Sequence, residues 1–463
     1  MRMRILGLAL GCLLAAGLAA KAADEPLMTV RVGEGPVAAP ESLKACLEAL
    51  VRYPSCFDAV AFAFKPAPAV ADAFAKLGLK PVAAAARTAS GFRFSDDHAP
   101  RGMIGAAFLF ASGASPAVAV LDNGRLCASG KSAHGLCVES LLDLAYGATG
   151  LEYDLLTVAH EPAAWTANTY LSELTLWRPF YQAYVRYHAG TQPGGILPFC
   201  GKRGKPDLAG TLRAAVALAP AGLPLCPGSP WPVCYLVNAA SVDSMTDADV
   251  QRVLSGGALF DGGAVARLQA RGYGAALQVT AAPREAGMGE VFTDDELNVN
   301  LVNYAWCPDA SVNETFALYP SNEAVRVIGR YQTKAGTSAE AASVLYETPM
   351  GGRLAVFGFD GFGAEISAAR RRQLLLAADW VAQNRLPVFV ETVCQAVVVP
   401  RVTLAGDLRS VMLLNATIDV QPPVTLRLRG CPEGMARMEW LVPKEKPVTV
   451  NVRWEGKDVL AVL

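Results

Sequence analysis

Short apolar runs alternate with segments of helical period along the first part of the chain. The runs predict strands at 28–32, 59–64, 80–86, 117–121 and 151–158. Between them, apolar residues at helical spacing predict helices at 40–53, 67–77 and 134–146. Alternation of this kind is typical of a parallel sheet or a (β/α) barrel, in which ligand-facing residues lie at the carboxyl ends of the strands.

A second strand-helix region follows, with both of its ends marked by capping residues. Thr246 is placed to cap a helix at 247–254, the run 258–260 predicts a strand, and Asp261 is placed to cap a helix that ends at Gly272. With the apolar run 233–237, this pattern predicts another open α/β sheet, whose ligands would bind near Asn238 and Asp261. The alternative is that these two residues only cap helices.

Residues 1–23 have the pattern of a secretory signal peptide. Arg2 and Arg4 precede an apolar run from Ile5 to Ala20, and small residues follow it. We therefore expect a secreted or periplasmic protein that begins near residue 24. Cys12 lies inside the apolar run, so a lipoprotein is the alternative, and no later apolar stretch is long enough for a membrane span.

Composition narrows the possible partners and cofactors. A net charge of −1 with 18% charged residues leaves no basic surface typical of nucleic-acid or anionic-membrane binding, and 52% hydrophobic residues predict large cores. The eleven cysteines form no C-x-x-C pair, which argues against zinc and against a small disulfide scaffold. We expect no cofactor; export permits disulfides, and buried free thiols are the alternative.

Four stretches resemble parts of one enzyme family. SGGALFDGGAVARLQARGYG is similar to the glutamine-amidotransferase-like (trimerisation) domain of bacterial beta-galactosidase-type barrel glycoside hydrolases. VRVGEG and LDNGRLCASGKSAHGLCVESLLDLAYGATGLEYDLLTV resemble the first and last strands of their barrel, and VMLLNATIDVQPPVTLRLR resembles their C-terminal sandwich. The family forms trimers through its middle domain and acts on carbohydrate, so the resemblance implies a homo-oligomer and a carbohydrate partner.

The resemblance implies an α/β protein of three domains after the signal peptide. These are a reduced TIM-like (β/α) barrel at 24–195, a flavodoxin-type, amidotransferase-like domain at 207–391, and a small β-sandwich at 398–463, with a turn-rich link at 193–206. No cysteine stands in a Gly-x-Cys-x-Gly turn, so amidotransferase chemistry is not expected.

The barrel departs from the family in its middle. Residues 87–116 stand where the family has several βα units, so strands four to six are predicted to be missing or collapsed. The strands at 80–86 and 117–121 must then pair directly, or be bridged by the apolar segment 103–110 as a strand or a buried helix. The family's E-I-E-N motif falls on Val120, Asp122 and Asn123. A retaining glycosidase needs two carboxyl groups about 5–5.5 Å apart. Asp122 has a shorter side chain than the glutamate of the motif, and no second carboxyl residue matches the family's acid/base. The sequence therefore predicts a degenerate site.

The candidate site residues are mostly acidic. Asp122 and Asp97 are the candidate catalytic residues, and the candidate sugar-binding residues are Asp96, His98, Asn123, Asp154, Glu161 and Trp165. The Asp96–His98 segment resembles an acidic segment of the family barrel, with a polar turn as the alternative. Trp165, Trp177 and Tyr181 offer stacking faces, although Trp177, Phe180, Tyr181 and Tyr184 have the spacing of one buried helix face.

Two classes of function follow from these observations. The first is an exported glycoside-hydrolase-like protein with a degenerate site, which binds carbohydrate weakly or acts in assembly. The alternative is an active glycosidase that hydrolyses β-galactoside-like bonds. Fold resemblance alone does not decide between them, because activity depends on the residues of the site.

Overall fold

The computed structural model describes residues 27–32, 40–85, 99–112, 118–122, 132–156, 163–200, 208–284, 289–306, 314–333, 336–363, 367–417 and 422–463. The chain divides into two compact units: the first comprises residues up to Gln192 together with 437–450, and the second comprises the remainder from Pro193. Across the described ranges, every helix is too short or too polar to cross a membrane.

The first unit is built on a parallel sheet flanked by helices. Its strands are β1 (Met28–Val32), β2 (Ala59–Phe62), β3 (Lys80–Ala83), β4 (Val118–Asp122) and β5 (Gly150–Leu156), with β21 (Arg437–Trp440) outside this sheet. Its helices are α1 (Pro40–Arg52), α2 (Pro68–Ala75), α3 (Ala99–Ser112), α4 (Ala133–Ala145) and α5 (Ala163–His188). The five sheet strands therefore fall within the ranges predicted from the apolar runs, apart from the last residue of β4 and the first of β5.

Among the described residues, the order of the parallel strands is β3-β2-β1-β5-β4. The last strand, β5, thus pairs with the first, β1, as in a barrel, while β3 and β4 form opposite edges. Direct pairing of β3 with β4 is therefore a wrong prediction. Within the described part of the chain, these strands form an open sheet and not a complete TIM barrel.

The segment 103–110 is a helix and not a strand. It lies within α3, where Ile104, Ala107 and Phe108 are buried. An apolar run of this length fits a buried strand and a buried helix equally well, so the sequence left both alternatives open. The helix alternative is the correct one.

The two faces of the parallel sheet differ in chemistry. On the helix-covered face, Tyr153 of β5 shares a hydrogen bond of 3.0 Å with the hydroxyl of Ser140 on α4 and packs against Phe57. The opposite face, which we call the polar face, carries Thr29 and Arg31 of β1 with their neighbours on β5. Side chains of a strand alternate between faces, so a single strand supplies both surfaces.

The aromatic residues of α5 belong to the core. Trp177, Tyr181 and Tyr184 are buried, and the Tyr181 hydroxyl donates to the carbonyl of Cys137 at 2.8 Å. The interpretation of Trp177 and Tyr181 as sugar-stacking faces is therefore wrong, because their rings are covered by α4 and by their own helix. Their helical spacing already favoured a buried face.

The second unit contains a large mixed sheet. Its strands are β7 (Ile196–Pro198), β8 (Cys234–Val237), β9 (Ala258–Asp261), β10 (Val279–Arg284), β11 (Gly289–Phe292), β12 (Ala305–Trp306), β13 (Thr315–Pro320), β14 (Arg326–Thr333), β15 (Gly336–Glu347) and β16 (Arg353–Phe357). Its helices are α6 (Leu208–Leu218), α7 (Ala239–Val242), α8 (Asp247–Gly256), α9 (Gly262–Ala270), α10 (Gly274–Leu277) and α11 (Ala368–Val381). Strands β7, β8, β9 and β16 are parallel, and the order continues through antiparallel β15, β14, β11 and β12.

In this unit, the sequence predicted the helix ends well and the first strand poorly. Thr246 and Asp249 form a complete capping box on α8, and Asp261 caps α9. The segment 193–206 was predicted as a link, yet it contains β7, which pairs in parallel with β8. Three residues between Gly195 and Phe199 are too few to show a strand period.

Short antiparallel strands complete the chain. They are β17 (Val388–Val390), β18 (Ala396–Val402), β19 (Leu408–Asn415), β20 (Thr425–Leu428), β22 (Val448–Glu455) and β23 (Asp458–Val462), while β6 (Gln192–Pro193) lies at the boundary of the units. Strand β17 lies within the range 207–391 predicted for the middle domain, but it pairs with β20. Its sequence, VFV, gives no information about its partner. The packing of a β-sandwich and the three-domain division stay predictions.

The eight cysteines within the described ranges are all free thiols. Five of them are buried, and burial raises the pKa of Cys46 to about 11 and that of Cys56 to about 12. The interpretation as buried thiols is therefore confirmed for most of these residues. Thiols with such raised pKa values are poor nucleophiles near neutral pH, because the thiolate is the reactive form.

Candidate functional site

The polar face of the parallel sheet is the strongest candidate for a functional site. Glu152 and Asp154 lie at alternate positions of β5, next to Thr29 and Arg31 of β1, and all four side chains are buried. In a barrel, this is the face that lines the interior, where catalytic residues reach the carboxyl ends of the strands. The contacts of its charged side chains therefore determine whether this face can bind or act on a ligand.

Arg31 and Glu152 form a buried ion pair across β1 and β5. The Nε atom of Arg31 donates to Oε1 of Glu152, and Nη2 of Arg31 donates to the carbonyl of Ala85 at 2.5 Å. The backbone N–H of Ala85 donates to Oε2 of Glu152 at 2.8 Å. Both carboxylate oxygens of Glu152 are thus engaged inside the protein. Buried charges are tolerated when they are paired and hydrogen-bonded in this way.

The same contacts determine the course of the chain after β3. Ala85 lies two residues beyond the end of β3, an edge strand separated from β5 by β2 and β1. Its two hydrogen bonds to Arg31 and Glu152 therefore require that the chain reaches across the polar face at this level. The backbone at Ala85 therefore covers the Arg31–Glu152 pair on this face.

Two aspartates occupy paired positions at the carboxyl ends of neighbouring strands. Asp122 of β4 is in register with Asp154 of β5. The backbones of neighbouring strands lie about 4.8 Å apart, so these two carboxyl-bearing residues are neighbours at one edge of the sheet. The structure describes the backbone of Asp122 but not its side chain, and Asp154 is only 3% exposed. A carboxylate buried to this degree has little surface for a sugar to contact.

Comparison with known proteins gives a weak structural likeness. No protein-family profile matches the chain, and no curated protein matches it. The structure is similar to a catalytic mutant of a GH42 beta-galactosidase from G. stearothermophilus, with a TM-score of 0.47 and 8% sequence identity. The similarity covers 89% of this chain, which spans 60% of that structure. A likeness of this size does not establish a shared fold.

The structure describes the predicted site residues to different extents. Asp154 lies on the polar face beside the position of Asp122. Trp165 lies near the start of α5, where its backbone but not its side chain is described. The remaining predicted residues lie outside the described ranges: Asp96, Asp97, His98, Asn123 and Glu161.

Arg31 and Glu152 were not among the residues predicted for the site. Their signal was present in the sequence, because MTVRV and GLEYDLL each place polar residues at every second position of an otherwise apolar strand. Two such strands in one parallel sheet predict a charged face. Arg31 and Glu152 can be recognised as partners only when β1 is known to pair with β5.

At the carboxyl ends of β8 and β9, Asn238 and Asp261 act as helix caps. The Oδ1 atom of Asn238 accepts from the N–H of Ser241 at 2.9 Å, and Oδ1 of Asp261 accepts from the N–H of Ala264 at 2.7 Å. Oδ2 of Asp261 also accepts from the N–H of Ala239 at 3.4 Å. The capping interpretation of both residues is confirmed.

The carboxyl group of Asp261 is completely buried. Burial raises its pKa from an ordinary value of 3.8 to about 8, and the negative charges of Asp360 and Glu314 act in the same direction. The two helix N–H groups oppose this shift, since they stabilise the ionised form.

Within the described ranges, no cluster of His, Cys, Asp and Glu residues is arranged to hold a metal ion.

A second buried ion pair lies in the mixed sheet. Nη1 of Arg370 contacts Oε2 of Glu290 at 3.1 Å, and both side chains are fully buried. Trp306 and Ser343 donate to the two oxygens of Glu290, at 2.8 Å and 2.6 Å. Burial lowers the pKa of Arg370, and the charge of Glu290 opposes this shift. The pair is enclosed in the core, so it holds structure together and does not offer a binding surface.

Proposed function

We propose that the chain is a glycoside-hydrolase-like protein that has lost efficient hydrolysis and binds carbohydrate weakly. The family resemblance of its first and last strands supports the glycosidase origin. One observation carries the loss of activity: Glu152 of the polar face has both of its oxygens bonded within the protein. Its carboxylate is therefore not free to act on a sugar.

The energetics of the ion pair support this proposal. A general acid or nucleophile must contact the glycosidic bond, so Glu152 would have to leave Arg31. That change would leave a buried arginine without its charge partner, and breaking such a pair costs about 3–5 kcal/mol. The chain segment at Ala85 would have to move as well, because it bonds to both residues.

An active glycosidase is the second candidate, and the register of Asp122 with Asp154 favours it. This register places two carboxyl-bearing residues on neighbouring strands, and retaining chemistry uses a pair of carboxyl groups about 5–5.5 Å apart. The burial of Asp154 opposes it, since the acid or nucleophile must reach the substrate. The two candidates therefore make opposite predictions for substitutions at these two positions.

Carbohydrate affinity separates the two candidates. Binding through an aromatic face and without the carboxylates predicts a dissociation constant of about 1 mM, which corresponds to about −4.1 kcal/mol. We expect calorimetric titration with galactose-containing oligosaccharides to give such a value, unchanged in Asp154→Asn. A micromolar dissociation constant that is abolished by Asp122→Ala would contradict the proposal and favour a working active site.

Export and self-association complete the proposed function. The sequence pattern of residues 1–23 supports an exported protein. The resemblance of the middle region to a trimerisation domain supports a homo-oligomer, and a monodisperse monomer by light scattering would count against this part. No cofactor is needed for weak carbohydrate binding.

A further inference from the structure

The loop before β8 presents one tryptophan to solvent. Trp231 is 66% exposed, more than the exposed tyrosines Tyr304 and Tyr319 of the same unit. The residues that support it are buried: Cys226 is inaccessible and Ser229 is nearly so. A large aromatic ring is thus held outward from a buried base, where a ligand can reach its face.

The backbone that carries Trp231 is anchored on both sides. The N–H of Cys226 donates to the carbonyl of Ile196 at 2.8 Å, and the N–H of Val233 donates to the carbonyl of Gly195 at 2.9 Å. Between these anchors, the hydroxyl of Ser229 donates to the carbonyl of Pro193 at 3.0 Å and accepts from the N–H of Trp231 at 3.4 Å. The loop is tied to the strand region at several points.

Two prolines restrict the loop further. Pro230 and Pro232 flank Trp231 and hold their own φ angles near −65°. A ring on such a backbone loses little conformational entropy when a ligand covers it, so more of the contact energy appears as affinity. The prolines also lack N–H groups, so the segment offers carbonyl acceptors in excess of donors.

This combination fits a sugar ring. The face of an indole carries partial negative charge, and the axial C–H bonds of a pyranose are weakly positive. The hydroxyl groups at the edge of the sugar supply the donors that the carbonyl-rich loop lacks. The exposed Pro230 and the half-buried Pro232 extend the apolar surface of Trp231, so a protein interface, which needs an exposed apolar patch of a few hundred Å², is the alternative that the experiment below separates from sugar binding.

We propose that Trp231 is the aromatic platform on which this protein stacks a pyranose ring. The inference rests on the proposed function for the class of ligand, and it adds the residue that carries the binding. It places the contact at the amino end of β8, because the loop leads into that strand. The carboxylates of the polar face have no part in it.

Titration of the indole N–H signals by NMR tests the inference. The signal of Trp231 is assigned by its loss in Trp231→Phe, and galactose-containing oligosaccharides are then added to the wild-type protein. We expect the Trp231 signal to shift, with a dissociation constant that rises at least about tenfold in Trp231→Ala and less than about threefold in Trp231→Phe. Because the side chain is largely exposed, neither substitution should alter the remaining signals.

Tyr319→Ala is the matched control, since Tyr319 is an exposed aromatic of the same unit and bonds through its hydroxyl to Glu340. It should leave the sugar titration unchanged. Sugar binding of equal strength in wild type and Trp231→Ala would overturn the Trp231 inference and leave the proposed function standing. Absence of sugar binding in the wild type would overturn both. An oligomer that dissociates in Trp231→Ala, with unchanged sugar binding, would assign the ring to a protein interface instead.

Discussion

Two features of the Asp261 side chain shift its protonation in opposite directions. It caps α9 through the N–H of Ala264, which favours the ionised form, and it is fully buried, which favours the neutral form. The capping role was predictable from sequence, because an N-cap depends on residues only three positions apart. The burial was not, since it depends on strands that follow much later in the chain, such as β16.

The raised pKa of Asp261 predicts a pH dependence of stability. The folded-state pKa of about 8 exceeds the ordinary value of 3.8, so the folded protein retains a proton that the unfolded chain releases within this window. The contribution of this group to stability is therefore full below the lower value and is lost as the pH rises towards the higher one. Each pKa unit corresponds to about 1.36 kcal/mol, so the loss amounts to several kcal/mol.

Asp261→Asn removes the titrating group and keeps a good N-cap. We expect the free energy of unfolding of this variant to vary less with pH than that of the wild type, in urea titrations between about pH 4 and 8. Asp249→Asn, in the capping box of α8, is the control for replacing a capping aspartate, and it should not reduce the pH dependence as Asp261→Asn does. Equal slopes for wild type and Asp261→Asn would show that Asp261 is ionised in the folded state.

Secondary-structure elements were predictable where their signals are local. The strands of the first unit, the helix from Asp247 and the cap at Thr246 all follow from period and end residues. Elements whose identity depends on distant partners were not predictable in this way. The segment 103–110 fitted a strand and a helix equally, β7 is too short to show a period, and β17 gave no sign that it pairs with β20.

The Arg31–Glu152 pair connects β1, β5 and the segment that follows β3. Its removal should therefore destabilise the first unit. Arg31→Met leaves Glu152 as a buried charge without its partner, which costs about 3–5 kcal/mol. In the double variant Arg31→Met/Glu152→Leu no unpaired charge remains, so we expect part of that loss to be recovered. The free energies of unfolding from urea titrations of the single and double variants give the coupling directly.

The control for this cycle is an exposed pair in the same unit. Lys44 and Glu48 lie on the surface of α1 with 3.9 Å between their charged atoms, so Lys44→Met should cost less than about 0.5 kcal/mol. If Arg31→Met is tolerated as well as Lys44→Met, the ion pair does not constrain the sheet. Glu152 would then be available for other roles.

For the whole molecule, the strand order is the feature that sequence patterns could not supply. Strand β5 pairs with β1 although more than a hundred residues separate them, and no local signal encodes that pairing. The polar face follows from this order, since Arg31 and Glu152 meet only when β1 and β5 are neighbours.

We propose that the polar face does not support efficient glycoside hydrolysis. Steady-state turnover of an aryl β-galactoside, measured for the wild-type protein and for Asp122→Asn and Asp154→Asn, tests this proposal. We expect wild-type turnover close to the rate of the uncatalysed reaction, with no difference in either variant. Wild-type turnover that falls at least about a hundredfold in either variant, as removal of a catalytic carboxylate would cause, would show that the face is a working active site.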